Sequence, residues 1–221
     1  MVFHLAALTD SFWLSPYGPR GALVPLPRRM RYLLPAARDA LAPIAAAGAV
    51  LTDVFRSMAS SLVAAAAKRG VQPPGYSAHN FGLAVDLDVS RSMKRLEVQT
   101  KPELDARMRR AGWWCYRSDG TLQRESWHYT WGAEAPGAGA IEATIQRFYG
   151  GAFQYDSASA QEYLARLRLY DGTIDGKLGP QSRQAVVLFQ RQWKLPEDGK
   201  LDAKTKRLLA VASAHREAAE R

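Results

Sequence analysis

The sequence is poor in cysteine and histidine, and this limits the chemistry that it can carry. Cys115 is the only cysteine among 221 residues, so the chain can form no internal disulfide bond and no cysteine-built zinc site. Only four histidines are present, and they are His4, His79, His128 and His215. A metal ion held by this chain would therefore need histidine and carboxylate ligands.

Long apolar runs are also missing. The longest uncharged apolar run, from Ala40 to Thr52, is shorter than the roughly 20 residues that span a bilayer. No charged segment followed by an apolar one, the pattern of a secretory leader, is visible over Met1–Ser15. We therefore expect no membrane span and no signal peptide, with synthesis in the cytoplasm.

The positive charge is not concentrated in one place. The formal net charge is +9, with +6 up to residue 150 and +3 after it. A nucleic-acid-binding protein more often gathers its charge in a patch interleaved with aromatic residues, and its DNA affinity then depends strongly on salt. The densest basic runs, Arg28–Arg31 and Arg107–Arg110, are more typical of solvated faces. A positive net charge suits the anionic polymers of the bacterial wall as well as it suits a nucleic acid. We expect no nucleic-acid partner.

Hydrophobic periodicity predicts the fold class of the first two thirds of the chain. Alanine-rich segments with apolar residues at helical spacing predict helices over 33–47 and 57–68. Branched or alternating residues predict strands over 49–55 and 83–89, and residues 112–131 are typical of two strands joined by a turn. Helices interleaved with a small antiparallel sheet give an α+β domain.

The last third of the chain contains an internal repeat. Gly150–Gly151 marks the boundary, which gives a first domain over 1–150 and a smaller one over 151–221. The sequence Asp-Gly-Lys-Leu at Asp175–Leu178 returns 23 residues later at Asp198–Leu201. Each copy has the composition of a turn leading into a helix. The tail is therefore predicted to be an all-α, three-helix domain.

Two of the histidines lie among carboxylates and aromatic residues. His79 precedes Asp86 by seven residues across Gly82, a residue that allows a close approach of the backbone, and His128 follows Glu125 by three residues. Two imidazoles and one carboxylate are a familiar zinc ligand set with one open position, and a nearby glutamate outside the set can act as a general base. A histidine in an aromatic strand can also be a packed core residue, so the spacing alone leaves both interpretations open.

These segments resemble a known family. The string SAHNFGLAVD at Ser77–Asp86 and the string ESWH at Glu125–His128 are similar to the Ser-x-His-x-x-Gly-x-Ala-x-Asp and Glu-x-Trp-His motifs of the VanY-like D-alanyl-D-alanine carboxypeptidase family. Members of that family are zinc peptidases and include phage endolysins that cut peptidoglycan stem peptides. The resemblance covers roughly residues 49–131.

The resemblance also implies roles for individual residues. It implies a zinc cofactor whose ligands are His79, Asp86 and His128. Glu125 would then be the general base that takes a proton from the attacking water and returns it to the leaving amine. Arg56 would bind substrate and steady the oxyanion, and Ser77 would help to position the peptide. From the residues alone, Arg56 could instead be a surface arginine at a strand end, and Ser77 a turn or cap hydroxyl.

Strand periodicity gives expectations for the orientation of these groups. Asp86 should face a cleft, because the apolar residues that alternate with it should face the core, namely Leu83, Val85, Leu87 and Val89. Asp88 shares the face of Asp86, and we interpret it as a solvated carboxylate rather than a group supporting the metal. Glu125 and His128 are three residues apart, which predicts that Glu125 precedes the regular strand.

The tail resembles a second family. Its paired Asp-Gly turns and its Phe189–Gln190 pair are similar to the peptidoglycan-binding three-helix domain attached to many wall hydrolases. Ser182 stands where threonine is common, and Pro196 interrupts the usual Gly-Leu before the second turn. The alternative is a helical bundle that only packs on the enzyme.

Together the resemblances imply a zinc-dependent peptidoglycan hydrolase, with a catalytic domain over 1–150 and a peptidoglycan-binding domain over 151–221. We expect a monomer of the phage endolysin type, released to the wall by a holin, that cuts an L-alanyl-D-glutamate or D,D bond of the stem peptide. One alternative is a D-alanyl-D-alanine carboxypeptidase of bacterial wall remodelling. Another is a non-catalytic zinc protein that binds the wall, although Glu125 would have no purpose in such a protein.

Overall fold

The computed structural model describes residues 5–67, 72–115, 125–133 and 139–220, with side chains of the last helix described as far as Arg216. The chain divides into two compact units. The first, which we name the sheet unit, combines Leu5–Ser57 with Tyr76–Arg147. The second, which we name the helical unit, combines Met58–Gly75 with Phe148–Arg221.

The described residues form strands and helices in a mixed order, with four short strands first and four helices last. The strands are β1 (Ala6–Ala7), β2 (Leu14–Ser15), β3 (Val24–Pro25), β4 (Tyr32–Leu33), β5 (Leu51–Asp53), β6 (Ala84–Leu87), β7 (Trp113–Trp114) and β8 (His128–Trp131). The α-helices are α1 (Pro35–Ala46), α2 (Met58–Ala67), α3 (Val89–Arg95), α4 (Lys101–Arg110), α5 (Ala140–Tyr149), α6 (Ser157–Arg166), α7 (Pro180–Gln192) and α8 (Ala203–Glu220).

The predicted helices and strands are present, with small differences at their ends. Helices α1 and α2 confirm the predictions for 33–47 and 57–68, and β5 and β6 confirm the strands predicted over 49–55 and 83–89. The predicted turn at 118–120 between β7 and β8 lies outside the described residues. None of the described helices is long and apolar enough to cross a membrane.

A four-stranded antiparallel sheet organises the sheet unit. Its strand order is β5-β6-β8-β7, and two small two-stranded sheets pair β1 with β4 and β2 with β3. In the register of the central strands, Asp86 of β6 pairs with Asp53 of β5 on one side and with His128 of β8 on the other. The sheet therefore brings three potentially charged residues side by side, and the predicted α+β class is confirmed.

Burial along β6 follows the predicted alternation only in part, because Ala84, which lies on the face of Asp86, is fully buried as well. Leu83, Val85 and Leu87 are at most 2% exposed, while Asp86 remains partly exposed. Val85 and Leu87 belong to a core that includes Trp13, Leu41, Leu51, Leu104, Trp113 and Tyr129. Full burial of one such side chain contributes about 1.5–3 kcal/mol, so this core holds one face of β6 and leaves the other face for Asp86. Val89 departs from the expectation, because the strand ends at Leu87 and Val89 begins α3.

The helical unit confirms the three-helix prediction for the tail, formed by α6, α7 and α8. It also includes α2, whose first N–H, on Met58, donates to Nδ1 of His215 at 3.2 Å. Nε of Arg207 donates to the carbonyl oxygen of Gly75 at 2.6 Å. The assignment of catalysis to 1–150 and of wall binding to 151–221 stays a prediction.

A buried glutamine closes the first Asp-Gly turn. Gln161 of α6 donates from Nε2 to Oδ1 of Asp175 at 2.9 Å and to the carbonyl oxygen of Lys177 at 3.1 Å. Its Oε1 accepts from the backbone N–H of Gly176 at 2.8 Å. The backbone of Gly176 is left-handed, with φ +73°, which favours glycine there.

The second turn is closed in the same way. Gln190 of α7 donates to Oδ1 of Asp198 at 2.9 Å and to the carbonyl oxygen of Lys200 at 3.1 Å, and its Oε1 accepts from Gly199 at 2.8 Å. The backbone φ of Gly199 is +68°. The sequence repeat is therefore a structural repeat, in which one glutamine amide holds each turn.

Candidate metal centre

Three of the predicted site residues lie together at the open face of β6 and β8. Nε2 of His79 is 3.3 Å from Oδ1 of Asp86, Nδ1 of His128 is 2.8 Å from the same oxygen, and the two nitrogens are 3.2 Å apart. Within the described ranges, these residues form the group of histidine, cysteine and carboxylate side chains that could hold a metal ion. His79 is almost fully buried, and the other two are partly exposed.

The spacing of these atoms fits a tetrahedral metal ion. An ion bound at about 2.0–2.1 Å holds its ligand atoms about 3.3–3.4 Å apart. Two of the three separations, 3.2 and 3.3 Å, match this value, and the third, 2.8 Å, is a hydrogen-bond distance. Two imidazoles and a carboxylate are a donor set that zinc accepts, and they would leave a fourth position open.

Each imidazole has an outer partner that can orient its ring. Nδ1 of His79 is 2.8 Å from the carbonyl oxygen of Val54. A carbonyl only accepts, so Nδ1 carries the hydrogen and the lone pair of Nε2 faces the cluster. Nε2 of His128 is 3.2 Å from Oγ1 of Thr130, whose hydroxyl can accept in the same way. Both rings can therefore present an unprotonated nitrogen to a cation.

The electrostatics of the cluster are dominated by its carboxylates. Burial lowers the pKa of His79, but the Asp86 and Asp53 carboxylates outweigh it, so that pKa lies above its usual value. Burial raises the pKa of Asp86, but the charges and hydrogen bonds of His79 and His128 outweigh it and bring that pKa well below its usual range. The carboxylate is thus held ionised. A cation bound here would compete with the additional proton that Nε2 of His79 could carry.

A short 3₁₀ helix, Ala78–Phe81, presents His79, and Gly82 ends it. Gly82 has φ +61°, and its carbonyl oxygen accepts from the N–H of Leu34 at 2.9 Å. A Cβ on Gly82 would lie 2.7 Å from that nitrogen and 2.8 Å from Cα of Leu33. The predicted close approach of the backbone at Gly82 is confirmed.

Arg56 lies beside the cluster and is held on three sides. Its Nε donates to Oδ2 of Asp53 at 3.1 Å, and its Nη2 forms an ion pair with the same oxygen. Its backbone N–H donates to the carbonyl oxygen of His79 at 3.2 Å, and Nδ2 of Asn80 donates to its carbonyl oxygen at 2.7 Å. Its side chain is 24% exposed, so Arg56 is not a freely solvated surface arginine.

Glu125 and Ser77 lie near these residues in the chain, but neither belongs to the three-residue group. Glu125 precedes β8, as predicted, and its carbonyl oxygen accepts from the N–H of His128 at 3.1 Å. Its side chain is exposed. Ser77 is 6% exposed and precedes the 3₁₀ helix without a side-chain capping hydrogen bond to it. Their roles in base catalysis and substrate binding stay predictions.

Asp88 has a role that differs from the expectation. Its Oδ1 accepts from the backbone N–H of Arg91 at 3.0 Å, which makes it the N-cap of α3. Its side chain is 25% exposed, and the capping contact is one that the interpretation as a solvated carboxylate did not include. An aspartate directly before a helix is a standard capping residue, and that signal was available in the sequence.

Three further residues near the cluster were not singled out from the sequence. Thr130 lies two residues after His128, so the alternation of a strand could have identified it as a neighbour on the same face. Asn80 gives no such signal, although it is fully buried. The Tyr17 hydroxyl donates to the carbonyl oxygen of Thr52, and burial, together with the Asp53 and Asp86 carboxylates, raises its pKa. Tyr17 is too far away in the chain for sequence spacing to place it there.

Comparison with known proteins finds a similarity within the helical unit. Residues 155–209 match the model of the family described as putative peptidoglycan binding domain. The tail is similar to a cell-wall-binding module. The match contains both Asp-Gly turns and both glutamines that close them, and it indicates association with the cell wall. The resemblance of residues 49–131 to the VanY-like peptidases lies outside this match and stays a prediction.

A curated protein also matches part of the chain. The putative OxPP cycle protein OpcA of Synechococcus elongatus is 37% identical over 76 residues. This stretch is 34% of the present chain and 17% of that protein, so the chain spans less than a fifth of the relative. The likeness gives no indication of hydrolase activity.

Proposed function

We propose that the chain is a zinc-dependent peptidoglycan hydrolase that cleaves the stem peptides of the bacterial wall as an endopeptidase. The observation that carries the proposal is the cluster of His79, Asp86 and His128, in which three ligand atoms lie within 3.3 Å of one another. The motif resemblance over residues 49–131 and the wall-binding match at 155–209 support it further.

In this proposal the three side chains hold the ion, and other residues of the chain manage protons and orientation. Zinc held there would supply Lewis-acid chemistry toward water and the peptide carbonyl. Glu125 takes a proton from the attacking water and returns it to the amine as the carbon–nitrogen bond breaks. Glu125 lies three residues before β8 and is exposed, which suits a group that exchanges protons with water.

Arg56 is proposed to orient the substrate. Its guanidinium carries five N–H donors, and its pairing with Asp53 occupies only one edge of the fork. The remaining donors suit a carboxylate of the stem peptide or the oxyanion that forms during hydrolysis. Asp53 fixes the direction of the guanidinium, because Nε and Nη2 of Arg56 both contact Oδ2 of Asp53.

The experiment that tests the proposal is digestion of purified sacculi by the zinc-loaded chain, with mass spectrometry of the released fragments. Cleavage of the L-alanyl-D-glutamate bond gives peptides that begin with D-glutamate, whereas a carboxypeptidase releases free D-alanine. His128→Ala should lose both zinc and activity, while His215→Gln should keep the zinc. If the chain binds zinc but releases no fragment, the proposed enzymatic activity is contradicted. The non-catalytic wall-binding protein then remains as the alternative.

A further inference from the structure

The helical unit contains a groove between its two Asp-Gly turns. Its volume is about 510 Å³, within the range of about 300–1,000 Å³ that is usual for ligand sites. Every lining residue lies between Asp156 and Lys206, inside the stretch that matches the putative peptidoglycan binding domain.

The two turns contribute unequally to the groove. The second turn lines it with all four residues of Asp198–Leu201, whereas the first contributes Leu178 alone. Lys200 therefore lines the groove, and Lys177, which occupies the same position in the first turn, does not. Both lysines are exposed, and the carbonyl oxygen of each accepts from a glutamine amide.

The groove carries a net charge of +1, because three cations, Arg183, Lys200 and Lys206, line it together with two carboxylates, Asp156 and Asp198. The carboxylate of Asp156 accepts the N–H of Ser159 at 2.9 Å, and that of Asp198 accepts the amide of Gln190 at 2.9 Å, so local donors already engage both groups. Lys200 is 3.6 Å from Asp198 and its side chain is 78% exposed, which is the geometry of a weak surface ion pair.

Two further cations and two leucines also line the groove. Lys206 donates from Nζ to the carbonyl oxygen of Tyr155 at 2.7 Å, and Nε of Arg183 donates to the carbonyl oxygen of Leu178 at 2.9 Å. Leu178 and Leu201 are partly exposed, so they offer apolar surface between the cationic groups. A ligand that has small apolar groups next to a carboxylate would contact both the leucines and the cations of this lining.

We propose that this groove binds the stem peptide of peptidoglycan, with a free carboxylate of the peptide at Lys200 and alanyl methyl groups against Leu178 and Leu201. The proposal rests on the wall-binding part of the proposed function and names the surface and ligand chemistry that perform it. Stem peptides are short and combine alanyl residues with free carboxylates, so their methyl groups and negative charge complement the leucines and cations of the groove.

The test measures sedimentation of the full chain with sacculi freed of accessory polymers, on ice, with fragment release monitored. Lys200→Glu is compared with Lys177→Glu, because the two variants change net charge equally at equivalent exposed positions. Lys200→Glu should raise the Kd about tenfold and Lys177→Glu by less than about twofold, since reversing one exposed charge at a contact costs on the order of 1 kcal/mol or slightly more. Equal effects of the two substitutions would overturn the proposal.

A second arm identifies the ligand group. A soluble disaccharide tetrapeptide with free carboxylates should bind the full chain more tightly than the same muropeptide with amidated carboxylates, and Lys200→Glu should remove the difference. Equal affinity for both muropeptides would contradict the carboxylate assignment. If the unsubstituted chain does not sediment with sacculi at all, the wall-binding part of the proposed function fails. If the unsubstituted chain sediments and both lysine variants bind sacculi equally well, only the groove proposal fails.

Discussion

The two imidazoles of the candidate metal centre have outer partners of different kinds. His79 is oriented by a backbone carbonyl oxygen, that of Val54, which substitution cannot remove. His128 is oriented by the hydroxyl of Thr130, a side chain that is 3% exposed. The contribution of Thr130 to orienting His128 can therefore be tested without substituting a candidate metal ligand.

Replacing Thr130 by valine keeps the shape of the side chain and removes the acceptor for Nε2 of His128. We expect zinc affinity to fall about 10- to 100-fold, the usual effect of losing a group that orients a ligand. Competition with a chromophoric chelator gives the zinc Kd. Thr144→Val is the matched control, because Thr144 is also buried, at 4% exposed, and donates to a helix carbonyl. An equal zinc Kd for both variants would argue against an orienting role for Thr130.

The sequence predicts the ligand triad more completely than its surroundings. His79, Asp86 and His128 stand in short motifs, and the register of β6 with β8 brings two of them together. The Arg56–Asp53 pair joins the last residue of β5 to a residue three positions beyond it, where strand alternation no longer predicts the directions of side chains.

At the scale of elements, Gly82 connects the 3₁₀ helix that presents His79 to β6 and fixes the direction in which the chain enters that strand. Gly82→Ala should destabilise the protein by about 3 kcal/mol, since the new Cβ would combine a left-handed backbone with a clash against backbone atoms. Zinc affinity should fall as well. Chemical denaturation and metal titration measure the two effects.

Gly139→Ala is the control for Gly82→Ala. Gly139 has φ +86°, but a Cβ built there meets nothing within 4 Å. This variant should cost only about 1 kcal/mol and leave zinc affinity unchanged. If the two alanine variants behave alike, the close approach of Leu33 and Leu34 to Gly82 is not what holds the site.

The Asp-Gly turns predict acid sensitivity of the helical unit. The pKa of Asp198 is lowered, first by the backbone N–H of Lys200 and then by the amide of Gln190, and the pKa of Asp175 is lowered in the same way, first by the amide of Gln161. A carboxyl whose pKa is lower in the folded state stabilises the fold above its unfolded pKa. That stability is lost as the pH falls through the folded pKa.

Denaturation of the full chain between pH 2 and pH 6, followed by NMR signals of α7, tests this sensitivity. The stability of the helical unit should decrease below about pH 4, the usual range of an aspartate. Asp198→Asn should be less stable near neutral pH and show a shallower loss in acid, whereas Glu162→Gln, on the exposed surface of α6, should keep the parental slope. A parental slope for Asp198→Asn would contradict the assigned hydrogen bonds.

Local periodicity predicts most elements, but it does not predict where α2 belongs. The alanine-rich run is helical, as its composition indicates, and Met58 and Ser61 are buried. Its partners, among them His215, come from the other end of the chain. Only the folded chain brings these residues together.

At the scale of the whole molecule, wall binding and catalysis are best separated by point substitutions. A chain that ends near residue 150 would lose not only the three-helix tail but also the partners of α2, because α2 belongs to the helical unit. Loss of activity on sacculi would then have two causes. The lysine variants of the groove and the ligand variants of the metal centre act within one unit each, so their effects can be assigned.

The most direct measurement of the central claim compares peptidoglycan hydrolysis by the zinc-loaded full chain with that by Glu125→Gln. Glutamine keeps the size of the side chain but cannot accept the proton, so hydrolysis should fall at least about a hundredfold, the scale of a general acid–base group. Zinc content and sedimentation with sacculi should remain those of the parent, because Glu125 lies outside the group formed by His79, Asp86 and His128. Near-parental hydrolysis by Glu125→Gln would contradict the account, and so would a parent chain that binds zinc and releases no peptide.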